Sequence, residues 1–195
     1  MIKIGILGEI GSGKSFVAKS FGHPVFNADL EVTKLYNKDK KIFYKLKKIL
    51  PTYFDSFPID KNKVIKAIMR SNKNLSLIVK IVHIEIKKKM KIFLKKNKNK
   101  KIVILDIPLL LENNLAYKTD ILIFVEAKKK DILKRLIKRK NFDPGLLRKF
   151  RKIQLPLDYK KKKSQFIIKN DFTKTTVKKN INAILKKIQI WKRLF

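Results

Sequence analysis

Four of the six glycines in this 195-residue chain fall between Gly5 and Gly13, and the stretch closes on Lys14 and Ser15. Within it, Gly8-Glu-Ile-Gly-Ser-Gly-Lys14-Ser15 fits the phosphate-loop pattern, two glycines bracketing four residues and then Lys-Ser. Glycines let backbone N–H groups turn inward with no Cβ in the way, and with the N-terminus of a following helix they make a concave anion site. In that chemistry Gly8, Gly11, Ser12, Gly13, Lys14, Ser15 and Phe16 bind a nucleotide; Lys14 reaches its terminal phosphates and Ser15 ligates Mg²⁺. Two carboxylates, Asp29 and Asp106, complete the set. A carboxylate near the γ-phosphate can accept the proton of an attacking hydroxyl, whereas one on the metal side can orient Mg²⁺. Read alone, each has a plainer meaning: Asp29 as a helix N-cap and Asp106 as a strand-end carboxylate.

Such residues need a scaffold that carries distant positions to one edge, and the hydrophobic pattern supplies it. Residues 1–7 form a short apolar run that reads as a buried strand, and residues 16–21 have helical spacing, so the glycines occupy a strand-to-helix turn. Residues 23–29 read as a brief strand, followed by helical spacing through Leu30, Val32 and Tyr36. Helices are predicted over 38–50, stopped by Pro51, from Asp60 with Val64, Ile65 and Ile68 on one face, and over 74–97. Strands over 101–106, 120–125 and 166–169 then alternate with helices over 128–139, 146–154 and 173–193. The expected fold class is α/β, a doubly wound parallel five-stranded sheet of the P-loop NTPase type. Ligands of such sheets sit beyond the carboxyl ends of the strands. The loop follows the first strand, Asp29 the second and Asp106 the third, and that shared edge is what raises both carboxylates above their plainer readings.

Composition narrows the class further. With 45% hydrophobic residues the chain can bury one sizeable core, no stretch approaches the roughly 20 apolar residues of a membrane span, and no cleavable signal is expected before the first strand. The absence of cysteine excludes disulfides and thiolate metal sites. A cytoplasmic protein is expected, with no membrane partner. The net charge of +35 taken alone suggests nucleic acid. Yet arginine occurs only at positions 70, 135, 139, 148, 151 and 193, lysine is spread along the whole chain, and aromatics are not interleaved with arginine in any base-reading pattern. A compositional bias toward Lys, Asn and Ile gives the same surface, so no specific nucleic-acid partner is expected. The lysine runs at 87–89, 128–130 and 160–163 read as solvated helix faces.

Three strings carry a resemblance. Ile10-Gly-Ser-Gly-Lys-Ser15, Val25-Phe-Asn-Ala-Asp29 and Ile107-Pro-Leu-Leu-Leu-Glu112 are similar to the corresponding motifs of dephospho-coenzyme A kinases. The likeness continues through Ile59-Asp60-Lys61, His83 and Arg135-Leu-Ile-Lys-Arg139 to Gln154, Lys160, Ile168 and Asn170. The resemblance implies transfer of the γ-phosphate of ATP to the 3′-hydroxyl of dephospho-coenzyme A, with Mg²⁺. It implies a nucleotide-binding core of residues 1–36, 98–138 and 165–195, a helical acceptor-binding insertion over 37–97 and a lid over 139–164. Lys14, Asp29 and Arg139 would be catalytic, with Asp29 as base and Arg139 as a lid cation on the transferring group. Asp29, Lys61, His83 and Leu110 would meet the acceptor, and Ser15 and Asp106 would hold the metal. A monomer or weak homo-oligomer is expected.

The chain departs from the family pattern at several points. Glu9 replaces the second loop glycine and must point outward, Asn27 replaces the first aspartate of an Asp-Ala-Asp triplet, Ile84 replaces a proline, Lys61 an arginine, and Ser164-Gln165 an Ala-Asp pair. Lysine for arginine keeps charge but loses the bidentate fork. His83 also reads as a packed core histidine, and Arg139 as a cation at a helix C-terminus. Glu112 reads as a turn cap and Asn170 as a strand end, and neither is assigned chemistry. Two rival readings remain: a nucleoside monophosphate kinase-like phosphotransferase, against which residues 30–100 hold only Arg70, and an inactive basic nucleic-acid-binding protein of the same fold.

Overall fold

The computed structural model describes residues 1–113, 115, 119–139 and 142–194. The chain begins with β1 (Ile2–Gly8), α1 (Lys14–Ser20), β2 (Val25–Asn27) and α2 (Ala28–Lys38). Three helices follow, α3 (Lys40–Ile49), α4 (Lys61–Arg70) and α5 (Asn72–Lys96), before β3 (Ile102–Asp106) and β4 (Ile121–Glu126). The remainder is α6 (Lys129–Ile137), α7 (Pro144–Lys152), α8 (Leu157–Lys162), β5 (Phe166–Lys169) and α9 (Lys174–Leu194).

The five strands form one sheet in the order β2-β3-β1-β4-β5. β1 pairs in parallel with β3 from Ile2↔Ile102 to Gly5↔Leu105 and with β4 from Ile4↔Ile121 to Gly8↔Val125, and β4 pairs in parallel with β5. Parallel pairing puts the carboxyl ends of these strands on one edge. The strand order changes direction between β1 and β4, so the loop after β1 lies at the switch point where α/β sheets bind ligands. The central strands read as unbroken apolar runs because both faces are covered. On one face Ile4, Ile6, Ile104 and Ile123 pack with Val17 and Ala18 of α1 and with Val177, Ile181, Ile184 and Ile188 of α9.

The chain divides into two compact units. The first, residues 1–26, 97–142 and 154–195, carries nearly all of the sheet; the second comprises residues 27–96 and 143–153. The division assigns α2 to the second unit and the chain from 154 onward, with α8, to the first. In the second unit α5 buries Leu75, Ile78, Val82, Ile86 and Met90, the three- and four-residue spacing of one helix face, against α2, α3 and α4. α7 packs on α4, and Lys149 Nζ donates to the Ile68 carbonyl at 3.0 Å.

Local chemistry sets the element boundaries. Asp39 adopts extended backbone and its carboxylate accepts from the Lys41 and Ile42 amides, which separates α2 from α3 and starts the helix expected over 38–50 at Lys40. Asp143 likewise caps α7, with Pro144 at the first position, so that helix begins before Leu146. One expectation is corrected: within the lysine run 160–163, Lys160 is only 1% exposed, because its ammonium is neutralised by Glu112.

Candidate phosphoryl-transfer site

The turn between β1 and α1 has the backbone that its glycines permit. Gly8 and Gly13 have φ of +147° and +89°, and each is also pressed by neighbours. A Cβ on Gly8 would lie 2.6 Å from the Val125 carbonyl oxygen, and one on Gly13 would lie 2.3 Å from Asn170 Nδ2. No other residue fits either position. Gly13 precedes α1 without a capping side chain, so the amides of the first turn are not taken up by a side-chain cap. The Ser12 amide donates to the Glu9 carbonyl at 3.1 Å, closing the turn. Lys14 folds back along it, with Nζ donating to the carbonyls of Gly8 at 3.1 Å and Glu9 at 2.8 Å.

Asn170 holds this loop in place. It follows β5, is 4% exposed, and donates from its backbone to the Glu126 carbonyl at 2.7 Å and from Nδ2 to the Ser12 carbonyl at 2.8 Å. Its Oδ1 accepts from the Phe172 amide at 2.9 Å, and Phe172 takes a φ of 65°, which non-glycine residues rarely adopt. The Arg135 guanidinium lies 4.3 Å from the centre of the Phe172 ring, a cation–π contact. Beside them Asp171 lies three residues before α9. Hydrogen bonds from Thr176, and then from Thr173, hold its carboxyl below the ordinary 3.8.

The other site residues of the first unit are spread around this loop's neighbours. Asp106 ends β3, the strand beside β1, and is 2% exposed. Ser15 is the second residue of α1 and half-buried, and Phe16 packs partly buried on the edge of the core. Leu110 is wholly buried against β1, where a Cβ on Gly5 would meet its Cδ2 at 2.6 Å. Arg139 is exposed just beyond α6, its amide bonded to the Leu136 carbonyl.

The second unit holds Asp29, Lys61 and His83. Asp29 is exposed in the first turn of α2, but it does not cap that helix. Asn27 does, its Oδ1 accepting from the Leu30 amide at 2.8 Å. The asparagine that replaces a carboxylate of the triplet therefore serves the helix. Lys61 is exposed at the first position of α4, behind the cap Asp60. His83 is half-buried on α5, next to the exposed Ile84.

Proteins of known family share this chain's sequence and fold. A family model described as dephospho-CoA kinase matches residues 2–176. A dephospho-CoA kinase of Wolbachia sp. subsp. Brugia malayi is 34% identical over 192 residues, covering 96% of this chain and 98% of that protein. Among solved structures, a Thermus thermophilus protein superposes with a TM-score of 0.74 at 22% identity, covering 95% of this chain and 97% of its own. A dephospho-CoA kinase from Campylobacter jejuni does so with a TM-score of 0.66 at 20% identity, covering 95% and 96%. These likenesses show that the fold is that of P-loop kinases.

Proposed function

The chain belongs to the dephospho-CoA kinase family, and on that premise we propose how its own residues carry the reaction. The reaction is transfer of the γ-phosphoryl group of ATP to the 3′-hydroxyl of dephospho-CoA, giving CoA and ADP, the last step of CoA synthesis. The observation that carries the residue assignments is the glycine loop at the sheet's switch point, clamped by Asn170 and lined by the Lys14 ammonium.

In this reading the amides of the loop, from Gly8 through Gly11, Ser12 and Gly13 to Ser15 and Phe16, cradle the phosphates. Lys14 exchanges its two loop carbonyls for β- and γ-phosphate oxygens. The 3′-oxygen of the acceptor attacks the γ-phosphorus, the bond from that phosphorus to the β–γ bridging oxygen breaks, and the hydroxyl proton passes to Asp29. Arg139, as a cation of the lid over 139–164, offsets charge on the transferring group. Lys61 and His83, in the insertion over 37–97, contact the acceptor. Leu110, being buried, acts by seating the segment after Asp106 on β1. The Ser15 hydroxyl and Asp106 carboxylate are hard oxygen donors of the kind that suits Mg²⁺ and would hold it. Bound there, Mg²⁺ would supply positive charge to offset that of the phosphates. Both substrates are soluble, which suits a cytoplasmic monomer or weak homo-oligomer. Among the described residues, no helix is long and apolar enough to cross a membrane.

The test is product analysis. Purified protein with ATP and Mg²⁺ is offered dephospho-CoA, AMP, CMP or UMP in parallel. CoA is the expected product, and equal or better turnover of a nucleoside monophosphate would overturn the reading.

A further inference from the structure

Lys160 and Glu112 form an ion pair inside the first unit that the mechanism above does not use. Lys160, on α8, is 1% exposed; Glu112, in the turn after β3, is 10% exposed; Nζ and Oε1 are 2.6 Å apart. The same Oε1 accepts from the Leu155 amide at 3.0 Å, while Oε2 is buried and makes no hydrogen bond among the described residues. Leu155 is the second residue after the chain re-enters the first unit from the segment 143–153, which holds α7. Past Lys160 the chain turns into β5, whose end leads to Asn170 and its bond to the loop.

Stability does not account for this arrangement. Desolvating two charges offsets their attraction, and a well-packed apolar pair of similar volume is often as stable or more so. A carboxylate with one buried oxygen left without a partner makes that comparison worse. What the pair does supply is a fixed geometry: one carboxylate oxygen joins the turn following Asp106, the re-entry point at Leu155 and helix α8. We propose that Glu112 and Lys160 are positioning residues for phosphoryl transfer, forming a pivot that fixes where the 143–153 segment returns to the nucleotide-binding unit. The proposal rests on the reading of residues 139–164 as a lid. The pair touches no substrate; it acts through the lid's return point, where a displacement on the order of 1 Å is enough to slow a transfer reaction about a hundredfold.

The experiment replaces the pair by apolar residues, Glu112→Leu with Lys160→Met. The double variant is expected to melt at or above the parent's Tm and to keep its KM for ATP within about twofold, while kcat falls roughly 10–100-fold. Hydrogen exchange at the Leu155 amide, read with no substrate present, is expected to speed up at least about tenfold while the amides of β1 and β4 stay as protected as before. This second measurement tests the pivot apart from the parent's turnover of dephospho-CoA, which tests the functional reading. Parental kcat, or unchanged exchange at Leu155, would overturn the proposal. Should the double variant fail to fold, Glu112→Gln keeps the shape and the acceptor for Leu155. It is expected to lose about tenfold in kcat at constant KM for ATP, with Lys160→Arg, which retains the pair, close to the parent. A Gln variant with parental kcat overturns the proposal equally.

Discussion

At the scale of single residues, the division of labour between Asn27 and Asp29 yields a sharp contrast. Asn27 caps α2 through its side-chain oxygen, which leaves the Asp29 carboxylate without that structural duty. Asp29→Asn is expected to slow the chemical step by about 10²–10⁴-fold, the usual contribution of a general base, with the cap at Asn27 kept. Asn27→Ala should do the reverse, losing about 1 kcal/mol of stability and little rate. Single-turnover kinetics beside thermal melts separate the two; an Asp29→Asn protein that melts early and turns over normally would return Asp29 to a structural role. Lys14, Ser15 and the loop glycines were legible because their chemistry is written in adjacent positions. Asn170 and Glu112 were not, since their meaning depends on partners 158 and 43 positions away, Ser12 and Leu155. The only signal each carried was its place in a family pattern.

At the scale of elements, α2 contains a titration that reports on the second unit. Burial pushes the Tyr36 hydroxyl up to about 12 from its ordinary 10. Because its folded value is raised, the stabilisation from this group is fully present below pH 10 and is lost as pH rises toward 12, where the unfolded chain ionises first. Comparing Tyr36→Phe with the parent by melting at each pH isolates the effect from lysine titration. The Phe variant should gain relative to the parent between pH 10 and 12 and hold a constant difference below; a difference independent of pH would refute it. The long elements were legible from periodicity, as with the apolar stripe of α5 and the uninterrupted β1 and β3. Others depended on facts outside their own span. Asp120, read as the first residue of a strand, instead accepts from the Lys3 amide at 2.7 Å and pairs with Lys3 Nζ, and β4 begins at Ile121. In the lysine run 160–163, a regular polar pattern gave no hint that Lys160 turns inward.

At the scale of the whole molecule, a net charge of +35 governs encounters rather than chemistry. No acidic residue follows Asp171, and the outer face of α9 presents Lys174, Lys178, Lys179 and Lys186 along one groove. Lysines dispersed in this way attract phosphate backbones and read no bases. Binding to DNA or RNA should be weak, indifferent to sequence, and should fall roughly a thousandfold or more between about 50 and 200 mM salt. Titration of labelled duplexes and single strands across that range checks it, and tight sequence-selective binding at physiological salt would show that the charge has a dedicated partner. A different consequence follows from the packing of α9 on the sheet. Ile4 and Ile6 of the first strand share their core with Ile181, Ile184 and Ile188 of the last helix. The apolar face of the first strand is therefore closed by contacts about 175 positions apart in sequence, and non-local pairing of that kind is slow to form.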